Sequence, residues 1–297
     1  RPCRFRVNRP VGRSLDIDCW FLILCYCHPA LLLELYQDVA PFYRLLRDNP
    51  MVWKHSRINC FGHALPQPPS DLSEFQYARL RHGTGCMSCG RSASRKTYWA
   101  FLRRWCKACF QSKTIPQEET VPFFRDQNGQ DLFYLQSCLD FAYIDSWGNY
   151  AGVAPYFAQS WSSVQRPHKI VYLRRDVQAI VEEYAQRSRE NPAPWPADAG
   201  SWATTKSDAA ARRRRFAHDM ERWEVTCRTE KRQDNSCRKA QRREYFVNMA
   251  LQLSPPITLQ EMEKCPSFLR AIAIPREPKN SSWMQLRPKL ELEVEQL

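Results

Sequence analysis

Apolar positions crowd first between Leu15 and Ile58. Leu15, Ile17, Trp20, Phe21, Leu24 and Cys27 recur at mixed steps of three and four, which places most of them along one broad side of a helix. His28-Pro29 breaks that helix, because proline restricts the residue before it and presets φ for a new helical start. Leu31, Leu32, Leu35 and Val39 make a second stripe, while Glu34, Gln37 and Asp38 point elsewhere. Pro41 interrupts again, and Phe42, Leu45 and Leu46 lead to Trp53, a large anchor for a small core. Helices of this size bury little alone, so residues 14–58 are expected to finish their core against a partner or the rest of the chain.

The pattern then changes several times. Leu65 to Glu74 is a proline-rich linker running into a helix at Asp71 to Leu80, capped by Ser70 or Ser73 and pinned by Leu72, Phe75 and Leu80. Val121 to Leu135 reads as a β-hairpin with Asn128-Gly129 as its turn. The aromatic stretch Phe141 to Trp161 has no period. Lys169 to Leu173 predicts a strand feeding a helix at Arg174 to Arg189, whose buried stripe is Val177, Ile180, Val181 and Tyr184. After a linker at Asn191 to Gly200, Lys206 to Leu253 predicts a long charged helix. Its apolar edge is Phe216, Met220, Trp223 and Cys227, and it fades until Tyr245, Phe246, Met249 and Leu253. Thr258 to Glu261 and Ser282 to Gln285 read as capping boxes, and Trp283, Leu286, Leu290 and Val294 are spaced to fold the last helix back onto a core. The expectation is a mainly α fold with small β elements (α+β). Its parts are a helical module at 14–58, a linker and metal segment at 59–115, a small α+β region at 116–190, a linker at 191–205, and helices over 206–297.

Composition sharpens this picture. Hydrophobic content of 43% and ten tryptophans exclude general disorder. Nine glycines against 21 prolines suit helices punctuated by proline linkers. The chain opens on Arg1, as a fragment would. Basic Arg1 to Arg13 before an apolar run mimics a signal peptide or membrane anchor, but Asp16, Asp18, His28-Pro29 and Glu34 cut the run well below the ~20 residues of a membrane helix, so no membrane partner is expected. Thirteen cysteines in a chain this long point to a reducing compartment, cytoplasm or nucleus, with some used for metal. Cys3, Cys19, Cys25, Cys27, Cys138, Cys227, Cys237 and Cys265 lack ligand spacing and read as small hydrophobes.

Cys86-x2-Cys89, sixteen residues and Cys106-x2-Cys109 form an array with the spacing of a tetrahedral zinc site. Four thiolates close the coordination sphere, so the zinc would be structural. Gly85 or Gly90 can supply the tight backbone of such a knuckle. Cys60, His63 and His82 are weaker alternative ligands. Between the pairs, Tyr98, Trp99 and Phe101 among arginines suit base stacking, or else packing beside the metal, and packing is the commoner use.

Taken together, Leu15, Ile17 and Asp18, the Trp/Phe-rich helix, Pro29, Leu31 to Leu35 and Trp53 resemble an F-box, the motif that ties a substrate receptor to the Skp adaptor of a cullin ubiquitin ligase. One position departs from the family, whose usual Leu-Pro start is Leu15-Asp16 here. With LPQPPSDLSEFQYARL and RRWCKACF following, Leu15 to Ile115 is similar to a large group of uncharacterised fungal F-box proteins, and YLRRDVQAIVEEY echoes it later. The resemblance implies that Leu15, Ile17, Trp20, Phe21, Leu24, Pro29, Leu32 and Leu35 carry the adaptor interface. The implied partners are a Skp-type adaptor, a cullin scaffold and a protein substrate.

No glycine-rich phosphate loop, H-E-x-x-H or G-x-S-x-G occurs, so a non-catalytic receptor is expected, with ubiquitin transfer done by its partners. The alternative is a zinc-stabilised nucleic-acid-binding protein using a formal net charge of +13, to which Arg212 to Arg215 would contribute unless they form a solvated helix face.

Overall fold

The computed structural model describes residues 15–125, 129, 131–154, 168–190 and 195–297. The basic stretch Arg1 to Arg13 with Cys3, the Asn128 half of the expected turn, Trp161, and the start of the linker at 191–194 lie outside the described residues. The chain divides into two compact units, Arg1–Trp223 and Glu224–Leu297.

The first unit begins with four short helices, α1 (Ile17–Tyr26), α2 (Pro29–Asp38), α3 (Ala40–Asp48) and α4 (Pro50–Phe61). Proline starts α2 and α4 and is the second residue of α3, where its missing N–H costs nothing. Asp16 is the N-cap of α1 and accepts from the Ile17 N–H at 2.7 Å. Leu24, Leu32, Leu33, Leu46, Val52 and Trp53 close a core, and Trp53 donates its indole N–H to the Leu46 carbonyl at 3.2 Å. The side chains of Ser56 and Asn59 on α4 donate to the carbonyls of Cys27 and Cys25, fixing the end of α1.

Helix α5 (Glu74–His82) completes this module. It starts three residues later than expected because Ser73 and Gln76 form a reciprocal capping box. Buried Arg57 of α4 holds Glu74 through two hydrogen bonds of 2.9 and 2.7 Å.

A knuckle follows. A two-stranded ribbon, β1 (Thr97–Tyr98) and β2 (Arg103–Arg104), precedes α6 (Lys107–Lys113). Next comes a four-stranded antiparallel sheet in the order β3-β6-β4-β5, built from β3 (Thr114–Pro116), β4 (Phe141–Ile144), β5 (Tyr150–Gly152) and β6 (Lys169–Leu173). Pro116 sits in the edge strand β3, where a missing ladder donor is tolerated. Helix α7 (Arg174–Glu190) buries Val177 and Ile180 beside the sheet, as its stripe predicts.

Several expectations are corrected. The hairpin at Val121 to Leu135 is replaced by 3-10 turns at Gln117–Phe124 and Phe133–Cys138, and one antiparallel bridge, Arg125 to Asp131, remains. Phe124, Leu132 and Leu135 all sink into one core, which an alternating strand would not allow. Strands β4 and β5 arise in the stretch that shows no period. The Asp145 carboxylate turns the chain between them by accepting from the N–H groups of Trp147 and Asn149. Helix α8 (Trp195–Leu251) starts inside the expected linker, because Trp195, Ala199, Trp202 and Ala203 join the sheet's core.

In the second unit the end of α8 packs with α9 (Leu259–Met262), α10 (Pro266–Ile272) and α11 (Asn280–Glu295). Thr258 and Glu261 form the predicted capping box. The second box is absent: α11 starts at Asn280, so Ser282 is already helical. Helix α10 was not anticipated. The last helix does fold back, with Trp283, Leu286 and Leu290 buried around Phe246. No helix among the described residues is long and apolar enough to cross a membrane.

Candidate metal centre and docking face

Backbone geometry gathers the four cysteines. Gly85 and Gly90 both have positive φ, and the Gly90 N–H donates to the Cys86 carbonyl at 2.9 Å, closing the first knuckle. Cys106 is the N-cap of α6 and Cys109 lies in its first turn, so the second pair sits at a helix start that favours thiolate. All four Sγ atoms lie within 4.8 Å of one another, with Cys89 and Cys106 at 3.8 Å. A thiolate tetrahedron around a divalent ion with metal–sulfur bonds of ~2.3 Å has edges of about 3.8 Å, so the donor set fits a metal ion. Electrostatics agree. Burial resists ionisation of Cys86, yet N–H groups of Cys89, Cys106 and Ser88 bring it down to about 6. The Cys106 thiol beside it pushes Cys109 up to about 12. Thiolates this close repel one another unless a cation sits among them. Cys60, His63 and His82 are outside this cluster.

Sequence reasoning missed the residue that joins the knuckle to the helical module. Arg104, only 3% exposed, donates to the backbone carbonyls of Gly85 at 2.9 Å, Thr84 at 3.1 Å, Leu80 at 3.2 Å and Arg79. It thereby satisfies carbonyls at the C-terminal end of α5, where the helix dipole favours a cation. Thr97 adds a hydroxyl bond to the Leu80 carbonyl at 2.7 Å. Gly83 lies against this guanidinium, and a Cβ there would come within 2.7 Å of it and 2.5 Å of the Arg79 carbonyl. One arginine among 44 basic residues carries no sequence signal of burial; the nearby glycine is the only hint.

The aromatics between the cysteine pairs are core residues. Tyr98, Trp99 and Phe101 are buried, and Tyr98 stacks on Phe110 with centroids 4.4 Å apart. They therefore offer no platform for bases. The basic run of α8 is likewise committed in part. Arg213 pairs with Asp71 at 2.5 Å and with Asp140, and Arg214 donates to the Leu139 carbonyl at 2.9 Å. Of the four, Arg212 and Arg215 are exposed and Arg213 and Arg214 are half-buried.

The expected adaptor residues separate into two groups. Leu24, Pro29 and Leu32 are buried in the module's own core and cannot touch a partner directly, which corrects their assignment. Trp20, Phe21 and Leu35 are half-buried, and Trp20 meets Phe42 edge-on at 5.1 Å. Leu15 and Ile17 are exposed. The residues overlooked are Leu22, Ile23, Tyr26 and Leu31, of which Leu22 and Tyr26 are 61% and 74% exposed. Positions 15, 22, 23 and 26 share the side of the α1 helical path opposite Phe21, Leu24 and Cys25. Helix α1 is thus apolar on both faces, and one of them meets solvent.

No family model matches the chain, and neither the curated proteins nor the solved structures yield a match.

Proposed function

We propose that this chain is an F-box-type substrate receptor, which docks to a Skp-type adaptor of a cullin ubiquitin ligase and presents a protein target. The observation that carries the reading is the second apolar face of α1, Leu22, Ile23 and Tyr26, flanked by Leu15 and Leu31. A helix apolar all round is normally buried, so its open face calls for a partner. The buried residues Leu24, Pro29 and Leu32 then act by holding α1 and α2 in place.

The metal in the cysteine cluster is zinc in this reading, because four thiolates at tetrahedral spacing suit zinc and leave no site for water. It is structural, and the receptor performs no chemistry. The test is capture of a purified Skp-type adaptor by the intact chain and by a Leu22→Asp, Tyr26→Asp double variant. Both substitutions fall on exposed positions, so the variant keeps its fold. Capture by the parent and its loss in the variant support the reading; no capture by a folded, zinc-loaded parent sinks it.

The net charge of +13 favours nucleic-acid binding as a second reading. Salt separates the two, since phosphate contacts weaken steeply with salt and an apolar interface hardly responds.

A further inference from the structure

Two cavities of about 460 and 410 Å³ adjoin in the first unit, beside the cysteine knuckle. They share Met87, Arg103, Leu173, Arg175 and Asp176 as lining. Arg79 borders the first, and Lys113 and Arg174 border the second. These five bases, Arg79, Arg103, Lys113, Arg174 and Arg175, are all exposed, and none forms an ion pair with another described residue. Arg103 spends one N–H on its neighbour's carbonyl. Across the first cavity, Arg213 is already neutralised by Asp71 and Asp140.

The groove is therefore cationic but not uniformly so. Asp140, 7% exposed, faces Arg213 with its Oδ1 sealed from solvent, and the half-buried Asp176 lies in the field of Arg213, Arg175 and Arg103. Leu72, Phe101 and Leu102 add apolar wall to the first cavity. A polyphosphate backbone presents evenly spaced anions to every part of such a groove and would meet the carboxylates with repulsion. A peptide alternates its anions with amide N–H donors and aliphatic carbon. Its carboxylates suit the arginine forks, its N–H groups suit Asp176, and its methylenes suit the apolar wall.

We infer that this double cavity binds an acidic peptide segment, with Arg103 and Arg175 as the anion-holding residues shared by both halves. Binding at this groove stands apart from adaptor docking on α1, and it is measured on the chain alone. It deepens the receptor reading by supplying a target chemistry, but the failure of either leaves the other intact.

The experiment uses the full, metal-loaded chain and a fluorescein-labelled peptide of alternating Glu and Gly, read by fluorescence anisotropy. Three proteins are compared: the parent, an Arg103→Ala, Arg175→Ala variant, and an Arg232→Ala, Lys239→Ala variant that removes the same charge from exposed positions of α8. The groove variant is expected to bind about tenfold or more weakly, as loss of two charge-assisted contacts implies, and the control to bind like the parent. Far-UV circular dichroism and bound-metal content establish that each variant is folded. Equal weakening in both variants would mean diffuse charge attraction and overturn the proposal, as would retention of binding in the groove variant. A peptide with Gln in place of Glu is expected not to bind. Tighter, Arg103- and Arg175-dependent binding of a short single-stranded oligodeoxythymidylate than of the Glu peptide would also overturn it, in favour of a nucleic-acid groove.

Discussion

The helical module from α1 to α5 and the cysteine knuckle after it are neighbours of similar smallness that stay folded by different means. The module buries Leu24, Leu32, Leu46, Val52 and Trp53 against one another and seals its seams with Arg57–Glu74, Ser56 and Asn59. The knuckle, from Cys86 to Lys113, has two strands of two residues and one seven-residue helix, too little regular structure to hold itself. Its order comes from four thiols converging on one point and from aromatics packed around Cys86. A core made of side chains leaves apolar residues such as Leu22 and Tyr26 exposed on the outer surface. The knuckle carries charge on its flanks, as Arg103 and Lys113 do.

This contrast predicts unequal responses. The largest is to metal removal. Structural zinc contributes on the order of 10 kcal/mol to the folding of small domains, so Cys106→Ser should abolish metal retention and lower the melting temperature of the first unit. Metal content by mass spectrometry and calorimetry check this. The helical module should keep its helicity after chelation, and its collapse would erase the contrast.

Next in size is the module's own anchor. Trp53→Ala should cost about 3–5 kcal/mol in urea unfolding, because it empties a site only 2% exposed and orphans the Leu46 carbonyl. Bound metal should be unchanged in that variant while it remains folded.

Arg104 is the bridge between the two regions, so it sharpens the comparison from the other side. Arg104→Ala takes the side-chain donor from the Gly85 and Thr84 carbonyls, while Leu80 keeps Thr97 and Arg79 keeps the Gly83 N–H, and a loss of about 3 kcal/mol is expected. Arg104→Lys should recover little of it, since an ammonium cannot fork to four acceptors. Hydrogen exchange should rise at the end of α5 and in the knuckle together.

The smallest effect is a pH dependence. Burial, with Arg81 and His28 nearby, brings the His82 imidazole down to about 3, so it stays neutral in the folded chain. Below pH ~6.5 the unfolded chain takes up a proton that the folded chain refuses. Stability from this group is therefore complete above that pH and is lost as pH falls toward 3. His82→Gln should flatten that part of a stability–pH profile, and an unchanged profile would count against the neutral buried ring.

Much of this was legible in the sequence where one signal dominates locally. Pro29 and Pro41 fall in the first turns of helices, Ser73 is one of the two caps offered for α5, the Thr258 cap is read directly, and the two Cys-x2-Cys pairs do converge. The illegible parts depend on distant residues. Trp195 is helical because it finds the sheet's core, not because its Pro-rich surroundings favour helix. Strands β4 and β5 are ordered by β6 and by the Asp145 turn, and Glu221 of α8 binds the Val153 N–H at 3.0 Å beside them. Within the helical module, helical period finds the apolar residues but cannot say which of two apolar faces is turned inward. The F-box resemblance assigned Leu24 and Leu32 to an adaptor interface, whereas they are buried and Leu22 and Tyr26 are exposed.

The central claim is that α1 is held by its inner face and docks by its outer one. Hydrogen–deuterium exchange of the intact chain with and without a Skp-type adaptor tests it most directly. The account predicts new protection confined to residues 15–35, with residues 86–109 unaltered. Protection centred on the knuckle, or none under conditions where the chain is folded and metal-loaded, would contradict it.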